Sequence, residues 1–125
     1  MPTLLYVDDE EAITRFVLRY FEQRGDTVLV ASNLLQAREL LSQHDPLVIF
    51  VDFWIGQESG LDLLAWIKAN RPHLMDRVTF VTGELINDDN FRRIRSDIGL
   101  PFIQKPFEMV TLVKAVERAE NRVGT

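Results

Sequence analysis

The chain has no cysteine, which excludes a disulfide framework, a thiolate metal site and a thiol nucleophile and suits a reducing compartment. Long apolar runs are missing too. The longest, Leu47 to Val51, falls far short of the roughly 20 residues a membrane span needs. No export signal opens the chain: the first basic residue is Arg15, and Asp8, Asp9, Glu10 and Glu11 stand where the apolar stretch of a signal peptide would run. Positive charge is in short supply, with 14 basic groups against 19 acidic ones and a formal net charge of -5. Broad binding to phosphate backbones or anionic membranes needs the opposite surplus. These absences predict a cytoplasmic chain with no membrane contact and no direct nucleic-acid binding. No linker, low-complexity tract or long repeat interrupts the 125 residues, so 1–125 reads as one domain, able to bury roughly two-thirds of its unfolded surface without a staple.

What is present is an alternation, five times over, of short apolar runs and amphipathic stretches. Leu4 to Val7 is too short for a helix and ends in acids, whereas Ile13, Phe16, Val17, Tyr20 and Phe21 repeat at helical spacing. Gly25 stops that helix, Thr27 to Val30 gives a second run, and Ser32 is placed to cap a helix that turns Leu34, Ala37 and Leu41 inward. Leu47 to Val51 is uniformly apolar, as a strand covered on both faces should be, and Gly60, Leu63, Leu64 and Ile67 mark the helix after it. Val78 to Val81 precedes a helix capped by Asn87 with Phe91, Ile94 and Ile98 on one stripe. Phe102-Ile103 is a fifth short strand, and Met109, Leu112, Val113 and Val116 form a last helix ending near Asn121. Such alternation predicts an α/β fold, a doubly wound (βα)5 domain on a parallel sheet with right-handed crossovers.

Ligands of such sheets bind outside the carboxyl ends of the strands. Strand one ends in Asp8-Asp9, strand three in Asp52 and strand four in Thr82, and Lys105-Pro106 follows strand five. With strand three beside strand one, Asp52 lies about 5 Å from the first strand's end and about 10 Å from the fifth, a gap that a lysine stem covers. Three crowded carboxylates need a compensating cation, and an all-oxygen set favours Mg²⁺. A carboxylate is also a nucleophile toward phosphorus, with a metal and a lysine stabilising the transferring oxygens.

At these residues the chain resembles the receiver domains of two-component response regulators, chemotaxis regulators among them. Tyr6-Val7-Asp8-Asp9-Glu10, Val51-Asp52, Gly60, Val81-Thr82-Gly83 and Lys105-Pro106-Phe107 carry the resemblance, in order along nearly the whole chain. It implies a flavodoxin-like sheet of order 2-1-3-4-5 and a signalling phosphoacceptor rather than an enzyme. Asp52 would take a phosphoryl group from a histidine kinase or phosphotransfer protein. Asp8, Asp9, Asp52 and the Trp54 backbone carbonyl would hold Mg²⁺, and Thr82 and Lys105 would bind the phosphoryl oxygens. The Lys105-Pro106 bond would be cis, and Phe102 would be an aromatic switch acting with Thr82 on the surface of helix four, strand five and helix five, a surface suited to homodimer or output contacts. Starting at methionine and stopping after its last helix, the chain would be a stand-alone receiver or the amino-terminal part of a longer regulator.

Two residues depart from the family pattern. Trp54 replaces a small or polar side chain and Gly56 a frequent proline; the Trp54 ring would shield an acyl phosphate from water, while Glu84 would help an attacking water. Arg92, Arg93 and Arg95 read as a solvated face, and His44 and His73 fall in loops far in sequence from the strand-end acids. Other readings are a receiver-like interaction module that is never phosphorylated and an aspartate-nucleophile phosphatase, for which Glu10 after Asp8 is an imperfect second acid and a cap insertion is missing. A flavin module would need a hydroxyl- and glycine-rich loop where Asp8, Asp9, Glu10 and Glu11 stand.

Overall fold

Period-two alternation sorts the side chains of each apolar run onto two faces, and both faces must be covered if the run is apolar throughout. The computed structural model describes residues 3–83 and 88–124. Its strands are β1 (Thr3–Val7), β2 (Thr27–Ala31), β3 (Val48–Asp52), a hairpin of β4 (Trp54–Ile55) and β5 (Glu58–Ser59), then β6 (Val78–Thr82) and β7 (Phe102–Gln104). Helices α1 (Glu11–Gln23), α2 (Leu34–Leu41), α3 (Gly60–Asn70), α4 (Asp89–Ile98) and α5 (Met109–Gly124) alternate with them, with a 3₁₀ turn at Pro72–Arg77. The main sheet is parallel in the order β2-β1-β3-β6-β7. That is the doubly wound (βα)5, 2-1-3-4-5 arrangement expected from the sequence. Among the described residues no helix is long and apolar enough to cross a membrane.

Leu5, Val7, Ile49 and Val51 face one core with α2 and α3, which supply Leu34, Leu41, Leu63 and Ile67. Their strand neighbours Leu4, Tyr6, Val48 and Phe50 face the other, against Val17 and Phe21 of α1 and Leu112 and Val116 of α5. Each such side chain, fully buried, contributes about 1.5–3 kcal/mol. Burial on two faces is how the sheet holds without a disulfide.

The apolar stripe expected on α1 is narrower than its sequence suggests. Val17 and Phe21 are buried, but Phe16 is 60% exposed, because one residue turns it about 100° away from the strip a single sheet covers. Ile94 is 40% exposed while Phe91 on the same helix is buried. Ser32 does not cap α2. Asn33 does, its side chain accepting from the Gln36 amide at 2.8 Å, while the Gln36 side-chain oxygen accepts from the Ser32 amide and hydroxyl. Both residue types cap helices; Gln36, three residues past Asn33, donates its backbone amide to the Asn33 side chain and accepts from Ser32 with its own side chain, which decides between them. Asn87, expected to cap α4, lies outside the described residues. Gly25 ends α1 as expected, at φ 91°, with the Asp26 amide reaching the Phe21 carbonyl and the Gly25 amide the Glu22 carbonyl.

Gly60 opens α3 directly against the end of β3. A Cβ there would meet the Asp52 carbonyl oxygen at 2.7 Å, the Phe80 ring at 3.0 Å and Val51 at 3.1 Å. Gly60→Ala is therefore expected to destabilise the fold by about 1–3 kcal/mol, as overpacking does, and to displace the strand end that carries Asp52. Urea denaturation measures the first effect and the amide chemical shifts of Asp52 and Phe53 the second; a midpoint equal to wild type would refute the first, and unchanged shifts the second.

Candidate functional site

Parallel strands finish at a common edge, where a residue just past a strand end presents its charge without entering the core. Asp8 follows β1, its amide held by the Ala31 carbonyl at 3.0 Å. Asp52 closes β3 and Thr82 closes β6, and the register sets Asp52 beside Val81 and Thr82 beside Gln104. Lys105 follows β7, with its amide donating to the Thr82 carbonyl at 2.7 Å, and the Lys105-Pro106 peptide is cis.

From that position the Lys105 ammonium reaches Asp8 Oδ2 at 2.8 Å, Asp52 Oδ2 at 2.9 Å and Glu10 Oε1 at 3.1 Å. Carboxylate oxygens of Asp8, Glu10 and Asp52 all lie within 4.8 Å of one another. Three acids share one ammonium, so the cluster keeps a surplus negative charge and offers oxygen alone, the donor chemistry that suits a hard divalent cation. Asp8 and Asp52 are buried, as is Thr82 next to them.

Asp9 stands outside this cluster. Its Oδ2 accepts from the Gly56 amide at 2.9 Å, tying the β4–β5 hairpin to the loop after β1. Gly56, at φ 62°, begins the two-residue turn between those strands, a backbone that favours glycine. The Trp54 amide lies 3.3 Å from Asp52 Oδ1, and the Trp54 ring, half exposed, meets Phe53 edge-on. Phe102 is half-buried: it stacks on Phe80 at 5.1 Å and contacts Phe91 of α4 edge-on at 5.4 Å and Phe53 at 6.0 Å. These rings connect the residue after Asp52 to α4. Glu84 lies outside the described residues.

Burial pushes the Asp52 carboxyl up to about 6, the Lys105 hydrogen bond pulls the other way, and the charge of Asp8 raises it further. For Lys105 desolvation acts to lower the pKa, but hydrogen bonds to Asp8, Asp52 and Glu10 outweigh it and hold the ammonium above the ordinary lysine range. The Tyr6 hydroxyl, buried and donating to Asp8 Oδ2 at 3.1 Å, is raised far above the usual phenol range by burial first and by the Asp8 charge second.

Sequence reasoning brought Asp8, Asp52, Thr82 and Lys105 to this edge and passed over two residues. Glu10 entered as part of the acidic motif after strand one and as an imperfect phosphatase acid, not as a partner of Lys105. Asp8, whose amide still bonds the neighbouring strand at Ala31, keeps the alternation of β1, but two or more residues past a strand end alternation no longer says where a side chain points. Tyr6 carried a readable signal: a phenol inside an aliphatic strand needs a partner, and Asp8 is two residues on, on the same face.

A family model described as response regulator receiver domain matches residues 4–117. The alginate biosynthesis transcriptional regulatory protein AlgB of Pseudomonas aeruginosa is 38% identical over 80 residues, which cover 64% of this chain and 17% of that protein. A response regulator receiver domain protein from Clostridium thermocellum superimposes with a TM-score of 0.81 at 28% identity, covering 99% of this chain and 98% of that one. A response regulator from Burkholderia pseudomallei, solved with a phosphorylated aspartic acid, calcium ion and citrate, gives a TM-score of 0.78 at 25% identity over 99% of this chain and 72% of its own. The chain spans about half or less of the length of the curated relatives it matches.

Proposed function

The chain belongs to the family of response regulator receiver domains, and from that premise we propose that Asp52 accepts a phosphoryl group from the phosphohistidine of a histidine kinase or phosphotransfer protein. The observation that carries this reading is Lys105, its ammonium 2.8 Å from Asp8 and 2.9 Å from Asp52 at the strand edge. The all-oxygen cluster with surplus negative charge fits Mg²⁺. Asp8 and Asp52 with the Trp54 carbonyl would hold it, Glu10 stands close enough to join them, and Asp9, whose Oδ2 takes the Gly56 amide, would join from the next position. Mg²⁺, when bound, neutralises the surplus carboxylate charge and that of the transferring oxygens.

An Asp52 carboxylate oxygen attacks phosphorus, a P–O bond forms as the P–N bond to the donor histidine breaks, and the bonding pair leaves on the imidazole. Lys105 passes from Asp52 to a phosphoryl oxygen, and the Thr82 hydroxyl donates to another. A cleft of about 620 Å³ beside Lys105, lined by Ile13, the exposed Phe16, Pro106 and Phe107, gives the donor protein an apolar seat. The phosphoryl group adds roughly -1.5 to -2 charge. Thr82 and the Phe102 ring pass that change to the face of α4, β7 and α5, where a second copy or an output partner docks. In this reading residues 1–125 are one cytoplasmic receiver domain that contacts neither membrane nor nucleic acid. The phosphorylated aspartic acid and calcium ion of the Burkholderia pseudomallei relative support it.

Incubation with acetyl phosphate and Mg²⁺ tests the proposal: mass spectrometry should find one phosphoryl adduct on wild type and none on Asp52→Asn. No adduct on wild type would favour the unphosphorylated interaction module, and turnover of many phosphate esters a phosphatase. Trp54→Asn is expected to shorten the adduct's lifetime several-fold, because a half-exposed indole two residues past Asp52 gives way to a group that admits water. Decay of the adduct after removal of acetyl phosphate measures it, and an unchanged lifetime would show that the ring shields nothing.

A further inference from the structure

Residues two apart in a strand share a face, so β1 turns Tyr6 toward the side on which Asp8 emerges. Both are 1% exposed. The Tyr6 ring sits in the core against Phe50 at 6.2 Å, and its hydroxyl rises to Asp8 Oδ2 at 3.1 Å. The same oxygen takes Lys105 at 2.8 Å, while Asp8 Oδ1 accepts the Glu10 amide at 2.9 Å. A carboxylate has about four acceptor positions, so three donors leave Asp8 one orientation with little remaining freedom. The two donors on Oδ2 differ in kind. Lys105 is shared with Asp52 and Glu10 and is drawn away when a phosphoryl group arrives, whereas Tyr6 is anchored in the core.

We propose that Tyr6 is a positioning residue for the cation site: its hydroxyl holds the Asp8 carboxylate from the core side and keeps that orientation when Lys105 leaves. Groups that hold a metal ligand in place typically change metal affinity by about 10–100-fold when removed. A phenol that merely satisfies its own hydrogen bond would change stability and leave cation affinity alone.

The inference rests on the Mg²⁺-dependent phosphoacceptor reading, and one experiment separates the two. Mg²⁺ is titrated into the full chain at about pH 8, where Asp52 is ionised, and followed by calorimetry and tryptophan fluorescence. Tyr6→Phe, which keeps the ring, is expected to weaken binding about tenfold and to recover most of its acetyl phosphate rate at saturating Mg²⁺. In an Asp8→Asn background the same change should weaken residual binding no further. Phe50→Leu, which disturbs the same packing but no hydrogen bond, should lower the melting temperature and leave Mg²⁺ affinity as it was. If Tyr6→Phe does not fold, Tyr6→Leu takes its place. Equal affinity in wild type and Tyr6→Phe overturns the inference and leaves the phosphoacceptor reading standing. A loss matched by Phe50→Leu, or one that persists without Asp8, also overturns it. Absence of Mg²⁺ binding by wild type removes both.

Discussion

Lys105→Met is expected to destabilise the metal-free protein by about 3–5 kcal/mol near neutral pH, the cost of leaving buried charges without their partner. The lysine side chain is 11% exposed, and the side chains of Asp8 and Asp52 that it bridges are 0% and 9% exposed. Water cannot replace the ammonium there. Glu10 contributes little to this figure, because its side chain is 58% exposed and a contact of that kind is worth under about 1 kcal/mol. The loss should shrink in acid as Asp52 protonates, and added Mg²⁺ should restore part of it by supplying the missing positive charge. The rate of adduct formation from acetyl phosphate should fall roughly 100-fold, the effect of removing a preorganised donor to the transferring oxygens. Urea unfolding with a chelator, with and without Mg²⁺, measures the stability change. A loss below about 1 kcal/mol would mean that the cluster is solvated like a surface pair.

The second large effect is a stability that falls as pH rises. The Asp52 carboxyl is held at about 6 in the folded protein, against 3.8 for an ordinary aspartate, chiefly by burial. A group raised on folding binds its proton more tightly in the native state, so its contribution is complete below the unfolded pKa and is lost as pH climbs through the folded one. In the metal-free protein that loss runs from about pH 4 to about pH 7 and amounts to about 3 kcal/mol at 1.4 kcal/mol per pH unit. Lys105, also raised, keeps its contribution throughout this window, because the window lies below the unfolded lysine pKa. The informative quantity is the stability of wild type minus that of Asp52→Asn at each pH, which isolates this one group. This difference should move against wild type by about 3 kcal/mol across the window and be reversed by saturating Mg²⁺, which binds the ionised form. A difference that stays flat from acid to neutral pH would show that Asp52 titrates as it does in the unfolded chain.

The framework behind both effects was readable from residue order. Apolar runs of four or five residues cannot be helices, and strands apolar on both faces demand a parallel sheet with helices on each side. Acids that interrupt such runs have nowhere to go but the strand ends, so Asp8, Asp52 and, by the same reasoning, Lys105 were assignable to one edge. The details that escaped depend on neighbours rather than on pattern. Ser32 and Asn33 are equally good capping residues, and the Gln36 side chain settled which one caps. Phe16 belongs to the apolar repeat of α1, yet it is exposed because one sheet covers only a narrow strip of the helix. The β4–β5 hairpin has strands of two residues each, too short for alternation to register.

At the site the division follows from distance along the chain. Residue order determined that carboxylates and one lysine meet at the carboxyl edge of a doubly wound parallel sheet, since strand periodicity and crossover handedness act locally, and the family resemblance supplied the 2-1-3-4-5 order. Partner choice was left to the folded chain. Asp9 bonds a Gly56 amide 47 positions away, and Glu10 shares an ammonium 95 positions away, so the cluster is Asp8, Glu10 and Asp52 rather than three aspartates. Two or more residues past a strand end no period orients a side chain, and Coulomb attraction over a few ångströms goes to whichever donor the packed strands bring within reach.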